Sequence, residues 1–196
     1  MTNAVWLALF ALAALALEGA LSLSPAQAQA DMPALQTNSS QFVELRPRSD
    51  APQLSLERLD GKSMRLDAFR GKVILMAFWA TWCPPCRREL PSLQRLRAQA
   101  NPRKLEIVPI SVDTQGKNAV AGFLQRMDVN ELPIYLDNRQ KIAARADAEA
   151  NAPFTLYGMP ITYVIDKRGS VVGYITGEVD WTSREAMSFL TYFTEQ

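Results

Sequence analysis

The chain of 196 residues contains no histidine. That removes the usual general base, the usual zinc ligand and the side chain that ordinarily changes charge near neutral pH. Catalysis must therefore run on thiols, carboxylates or backbone dipoles. Cysteine is nearly as scarce: there are 2, Cys83 and Cys86, in one motif. No separate structural disulfide can hold the fold. A lone CxxC supplies half of a four-ligand zinc site, and no second pair or His is present to complete it. An excess of charge is missing too. The 21 Lys and Arg against 20 Asp and Glu leave +1 with the signs interspersed, so there is no nucleic-acid footprint. Internal repeats are also absent, and the length suits one domain with a proper core.

What is present begins with an apolar run, Ala4 to Leu17, of the length of a signal-peptide core. No Lys or Arg precedes it, so only the amino terminus supplies positive charge. Two overlapping A-x-A sites follow, ending at Ala28 or Ala30. The expectation is a signal peptide over residues 1–30, with a membrane anchor using residues 4–23 as the rival. No Cys lies near the amino terminus, which excludes a lipoprotein. Residues 31–53 are polar, proline-punctuated and aperiodic, and read as a flexible lead-in to a domain over residues 54–196.

Asp60-Gly61 between two short apolar segments signals a β-hairpin. Val73 to Trp79 is continuously apolar, as in a strand buried on both faces. A helix begins near Pro85, carries Leu90, Leu93 and Leu96, runs through Pro91 and stops at Asn101-Pro102. Leu105 to Val112 reads as the next parallel strand, with a bulge expected at Pro109. Helices are expected over residues 119–127 and 142–150 around a short strand at 134–136. A hairpin turning at Asp166–Gly169 and a final helix capped by Ser183 complete an α/β pattern with a mixed sheet.

Cys83 and Cys86 sit where the buried strand gives way to the helix. There the unpaired N–H groups and the dipole favour a thiolate on Cys83. Pro84 and Pro85 withhold two donors, which makes the activation moderate. Cys83 reads as the attacking thiol and Cys86, on the first turn, as the resolving one. A buried inert disulfide is a poor alternative, because so short a loop adds little stability. Glu89 lies on the helical face of Cys86, either as a proton carrier or as a solvated helix residue. Trp79 and Trp82 read as packing and rim residues.

The segment Phe78-Trp79-Ala80-Thr81-Trp82-Cys83-Pro84-Pro85-Cys86 resembles the active site of the thioredoxin superfamily. Its continuation Arg88-Glu89-Leu90-Pro91 is similar to the TlpA/ResA-like branch, as is Gly177-Glu178-Val179-Asp180-Trp181 before the last helix. The likeness spans about Leu54 to Gln196. It implies a thioredoxin fold: a central mixed β-sheet flanked by helices, with an N-terminal β-hairpin and an inserted helical and strand segment. It also implies a periplasmic thiol–disulfide oxidoreductase, a monomer, with no cofactor beyond the redox-active disulfide. Disulfide-containing exported proteins would be the substrates, and a membrane thiol carrier of the DsbD type the electron donor. Pro160 would be the cis-proline facing the CxxC, with Met159 and Trp82 touching substrate and Glu89 aiding proton transfer. Two departures stand out. Ala77 occupies the place of a buried Asp in thioredoxins. Ile161 stands where the cytochrome c maturation branch usually has Glu, which favours some other exported substrate over an apocytochrome.

Two other functions compete. Thiolates and a thioether suit Cu(I), so Cys83, Cys86 and Met159 could form a copper carrier. A peroxidase of the peroxiredoxin pattern needs Thr three residues before its Cys, whereas Thr81 is two before Cys83.

Overall fold

The computed structural model describes residues 32–148 and 151–196; the expected leader, residues 1–30, lies outside them. The strands are β1 (Gln41–Asp50), β2 (Ser55–Arg58), β3 (Ser63–Arg65), β4 (Val73–Trp79), β5 (Leu105–Ser111), β6 (Tyr135–Leu136), β7 (Ala143–Arg145), β8 (Phe154–Leu156), β9 (Ile161–Ile165) and β10 (Ser170–Thr176). The helices are α1 (Pro84–Gln99), α2 (Lys117–Arg126) and α3 (Arg184–Glu195).

Eight strands form one mixed sheet in the order β1-β10-β9-β4-β5-β6-β2-β3, and β7 pairs with β8 apart from it. The expected α/β thioredoxin fold is thus present. Every residue of β4 is buried, which explains its unbroken apolar sequence. β4 runs parallel to β5 and antiparallel to β9. Burying side chains such as Phe78 and Leu75 contributes about 1.5–3 kcal/mol each. α1 turns Leu90, Leu93 and Leu96 inward, and α3 does the same with Ala186, Phe189, Leu190 and Phe193. α1 runs through Pro91 as expected, and Ser183 Oγ accepts the Ala186 N–H at the start of α3.

Three expectations are corrected. Residues 41–50 are not a flexible lead-in: they form the edge strand β1, paired with β10 on one side. Most of β1 is exposed or half-buried, so it lacks the alternation that marks a strand. Pro47, with a cis bond to Arg46, falls in the register break between Glu44 and Ser49, where no ladder donor is needed. Phe42 anchors the strand against Phe189 and Phe193 of α3.

In place of the helix expected over 142–150, Ala143–Arg145 form the strand β7 and residues 146–148 a turn. The buried Asp137 carboxylate accepts the N–H groups of Lys141, Ile142 and Ala143, and β8 takes the strand that follows. Third, β5 has no bulge at Pro109, which pairs with Ala77 in unbroken register. Val112 N–H donates to the Trp79 carbonyl of β4, so by alternation the nitrogen of Pro109 faces the opposite side. There β6 begins pairing only at Ile110, and no donor is missed.

Candidate active site

Cys83 is the N-cap of α1, with extended backbone (φ −96°, ψ 104°). It is joined to Cys86 by a disulfide with Cα atoms 5.3 Å apart. Because Pro84 and Pro85 lack N–H groups, the first amide of the helix free to point at the sulfur is that of Cys86, and it does so at 3.3 Å. In the reduced state the same amide and the helix dipole would stabilise a Cys83 thiolate. Both cysteines are enclosed, Cys83 at 3% exposure and Cys86 at 0%.

Glu89, one turn after Cys86, is buried rather than solvated. Its Oε1 accepts the indole N–H of Trp181 at 2.9 Å and the backbone N–H of Val179 at 3.2 Å. Burial pushes its carboxyl up to about 8, the two hydrogen bonds pull it down, and the nearby charge of Glu178 adds to the rise. Ser92 completes a clasp: its hydroxyl donates to the Glu89 and Val179 carbonyls and accepts the Trp181 backbone N–H. Arg88 closes the outside with a forked ion pair to Glu178. The loop from Gly177 to Trp181 is thereby pinned to the helix that carries the cysteines.

The same loop reaches the cis-proline. The Met159–Pro160 bond is cis, and the Pro160 carbonyl accepts the Gly177 N–H at 3.0 Å. Gly177 has φ +89°, and a Cβ there would collide with the Ser39 carbonyl, so only glycine fits. Ile161 pairs with Phe78, which puts Pro160 at the end of the sheet where β4 runs out towards Cys83. Trp82 is 63% exposed and Met159 half-buried, and together they border a cleft of about 410 Å³ with Leu156, Tyr157 and Ala143. Tyr163 supports this wall by a hydroxyl bond to the Thr155 carbonyl. Pro160 itself is buried, and Trp79 is a core residue packed on Phe123.

On the other flank of the motif a second buried carboxylate holds the approach to Cys83. Asp113 accepts the Thr81 N–H at 2.9 Å, the Thr81 hydroxyl at 2.6 Å and the Ser111 hydroxyl at 2.8 Å.

The AhpC/TSA family model matches residues 47–174. The chain belongs to that family. The thioredoxin-like protein YneN of Bacillus subtilis is 31% identical over 138 residues, 69% of this chain and 75% of the relative. The thiol-disulfide oxidoreductase ResA of Bacillus subtilis is 34% identical over 129 residues, 66% of each chain. A thioredoxin family thiol:disulfide interchange protein from Chlorobium tepidum superposes with a TM-score of 0.57 at 27% identity, covering 76% of this chain and 99% of its own. This member of the AhpC/TSA family is thus thioredoxin-like and of the ResA-like, thiol–disulfide oxidoreductase kind. Within so broad a family, Thr81 stands two residues before Cys83, and its hydroxyl donates to Asp113.

The structure gathers Cys83, Cys86 and Glu89 on one helix start and lays Trp82 and Met159 along one cleft. Three functional neighbours escape a reading of residue types. Ser92 looks like an ordinary helix serine, Trp181 like a core aromatic, and Asp113 like the polar end of a strand. An Asp two residues past the end of a largely apolar strand is the one visible signal for the last.

Proposed function

We propose that this chain is an exported protein thiol–disulfide oxidoreductase working in the reducing direction. The Cys83 thiolate attacks one sulfur of a partner disulfide; a mixed disulfide forms and the partner's other sulfur leaves as a thiolate. Cys86 then attacks the Cys83 sulfur, releasing the partner's second thiolate and leaving the Cys83–Cys86 disulfide. Two electrons pass to the partner. Glu89 takes up or returns the proton of a thiol, while Trp82, Met159 and the cis-Pro160 loop seat the partner's chain. A membrane thiol carrier of the DsbD type restores the dithiol, and the protein works as a monomer in the periplasm. Residues 1–30 act there as a cleaved signal or residues 4–23 as an inner-membrane anchor. Ile161 after the cis-proline favours exported substrates other than apocytochromes, although a place in cytochrome biogenesis fits the same chemistry.

The observation that carries this reading is Cys83 at the helix N-cap with the Cys86 amide aimed at its sulfur. In cells, Cys86→Ser should accumulate mixed disulfides with exported proteins and Cys83→Ser should not; equal trapping by both would sink the assignment. The direction has its own measurement. With no His and two prolines between the cysteines, only the helix terminus stabilises the thiolate. The potential should then lie nearer to about −270 mV than to about −120 mV, and a value above about −150 mV would make the protein an oxidant. The rival Cu(I) carrier, built on Cys83, Cys86 and Met159, instead requires copper to co-purify with the reduced protein.

A further inference from the structure

Trp82 borders a second cleft, of about 610 Å³, whose character is unlike that of the first. It is lined by Arg87 of α1, by Gln115, Asn118, Phe123 and Arg126 on and before α2, and, among the described residues, by no Asp or Glu. The Arg87 guanidinium lies 5.6 Å from the centre of the Phe123 ring, and that of Arg126 folds back over Gly122. Both side chains therefore lean on adjacent residues of one helix, beside the exposed indole that precedes Cys83. Among the described residues neither has a carboxylate within ion-pair distance. Their neighbour Arg88 is paired with Glu178. The cleft on the Met159 side is charge-balanced, since its Arg145 is paired with Asp147.

Two unneutralised guanidiniums flanked by two carboxamides make a receptor for carboxylate oxygens. We infer that the Arg87–Arg126 cleft selects disulfide partners whose chain carries an Asp or Glu close to the cysteine that Cys83 attacks. The inference rests on the proposed reductase chemistry and names its substrate class. The cleft is far larger than one acidic side chain and runs along α2, so a segment of a protein fits it better than a small disulfide. Opposite charge across an encounter surface raises the rate of productive docking and orients it.

The test uses the reduced protein and three short peptides, each cyclised by one disulfide and differing only in Asp, Asn or Lys beside the cysteines. Reduction is followed by quenched alkylation of the released thiols. The order of kcat/KM should be Asp, Asn, Lys, with about tenfold between the extremes at low ionic strength, the scale of two partly exposed charge pairs. The spread should shrink as salt rises towards about 1 M. Arg126→Gln should compress it severalfold, and Arg126→Glu, which leaves one charge of each sign in the cleft, should abolish it, with the Asn peptide as the internal reference for each variant. Equal reduction of all three peptides by the wild-type protein would overturn this inference while leaving the reductase reading intact. Failure to reduce any of them would overturn both. Glutathione disulfide reduced faster than the Asp peptide would overturn the protein segment as occupant.

Discussion

Two buried carboxylates flank the start of α1, and they are bonded in different ways. Asp113 meets a backbone N–H and two hydroxyls, spread over both of its oxygens. Glu89 meets two N–H groups, both at Oε1. For Glu89 the loss of water outweighs those bonds, and its carboxyl rises to about 8, within reach of thiol chemistry. Burial alone does not assign a carboxylate its work; the number and kind of donors it finds inside do. Asp113 is an anchor for the Thr81 turn, and Glu89 holds the Val179 and Trp181 N–H groups with a carboxyl that burial raises.

The largest expected effect breaks the anchor. Asp113→Ala leaves the Thr81 N–H, the Thr81 hydroxyl and the Ser111 hydroxyl without their acceptor, each a loss of about 1–3 kcal/mol. Urea unfolding should show about 3 kcal/mol or more lost, whereas Asp113→Asn, which keeps one acceptor oxygen, should lose about half as much. An Ala variant within about 1 kcal/mol of the parent would mean that water replaces the carboxylate, and the contrast with Glu89 would collapse.

How much of this was legible follows from where each signal resides. The β4 run, the Asp60-Gly61 hairpin, the Ser183 cap and the CxxC at a helix start are local, and the structure keeps all of them. The cis state of Pro160 was legible only through resemblance, because an X-Pro bond carries little intrinsic preference for it. The edge strand β1 was hidden, since a strand paired on one side and largely exposed needs no apolar alternation. Residues 142–150 look helical through their alanines, yet Asp137 captures three successive amides and β8 supplies a tertiary partner. The Glu89–Trp181 bond spans 92 positions of sequence, and the pattern around either residue does not point to the other. A glutamate on a helix reads equally as a solvated residue or a proton carrier until the loop that covers it is seen.

The second prediction sharpens the comparison through pH. The Glu89 carboxyl lies near 4.5 in the unfolded chain and is raised to about 8 in the folded protein. Between these values the unfolded state ionises first, so its contribution to stability is full below about 4.5 and is lost as pH rises to about 8. Wild type should lose on the order of a few kcal/mol across that window relative to Glu89→Gln, which has nothing to ionise there. Thiol exchange by the Gln variant should slow by about tenfold or more near neutral pH, and exchange that is unchanged at every pH would return Glu89 to a purely structural part in the clasp. Trp181→Phe removes one of the two donors, so the stability window should extend to higher pH at a cost of about 1 kcal/mol.

The smallest effect is expected where the contact looks strongest. Arg88 grips Glu178 through its Nε and Nη2 at 2.9 and 2.6 Å, the second shorter than any bond to Glu89. Yet the Arg88 side chain is 62% exposed and that of Glu178 27%, so water and salt screen the pair and two side chains must be held still to make it. Ser92 is buried, and removing its hydroxyl strips the Trp181 N–H of its acceptor and two carbonyls of a donor. Ser92→Ala should therefore cost about 2 kcal/mol and Arg88→Gln less than about 1 kcal/mol, the latter vanishing at about 1 M salt. Thermal unfolding of the two variants side by side at low and high salt decides it. If Arg88→Gln proved the costlier, the loop would be held from its solvent face, and Glu89 would lose its part in fastening that loop to the helix.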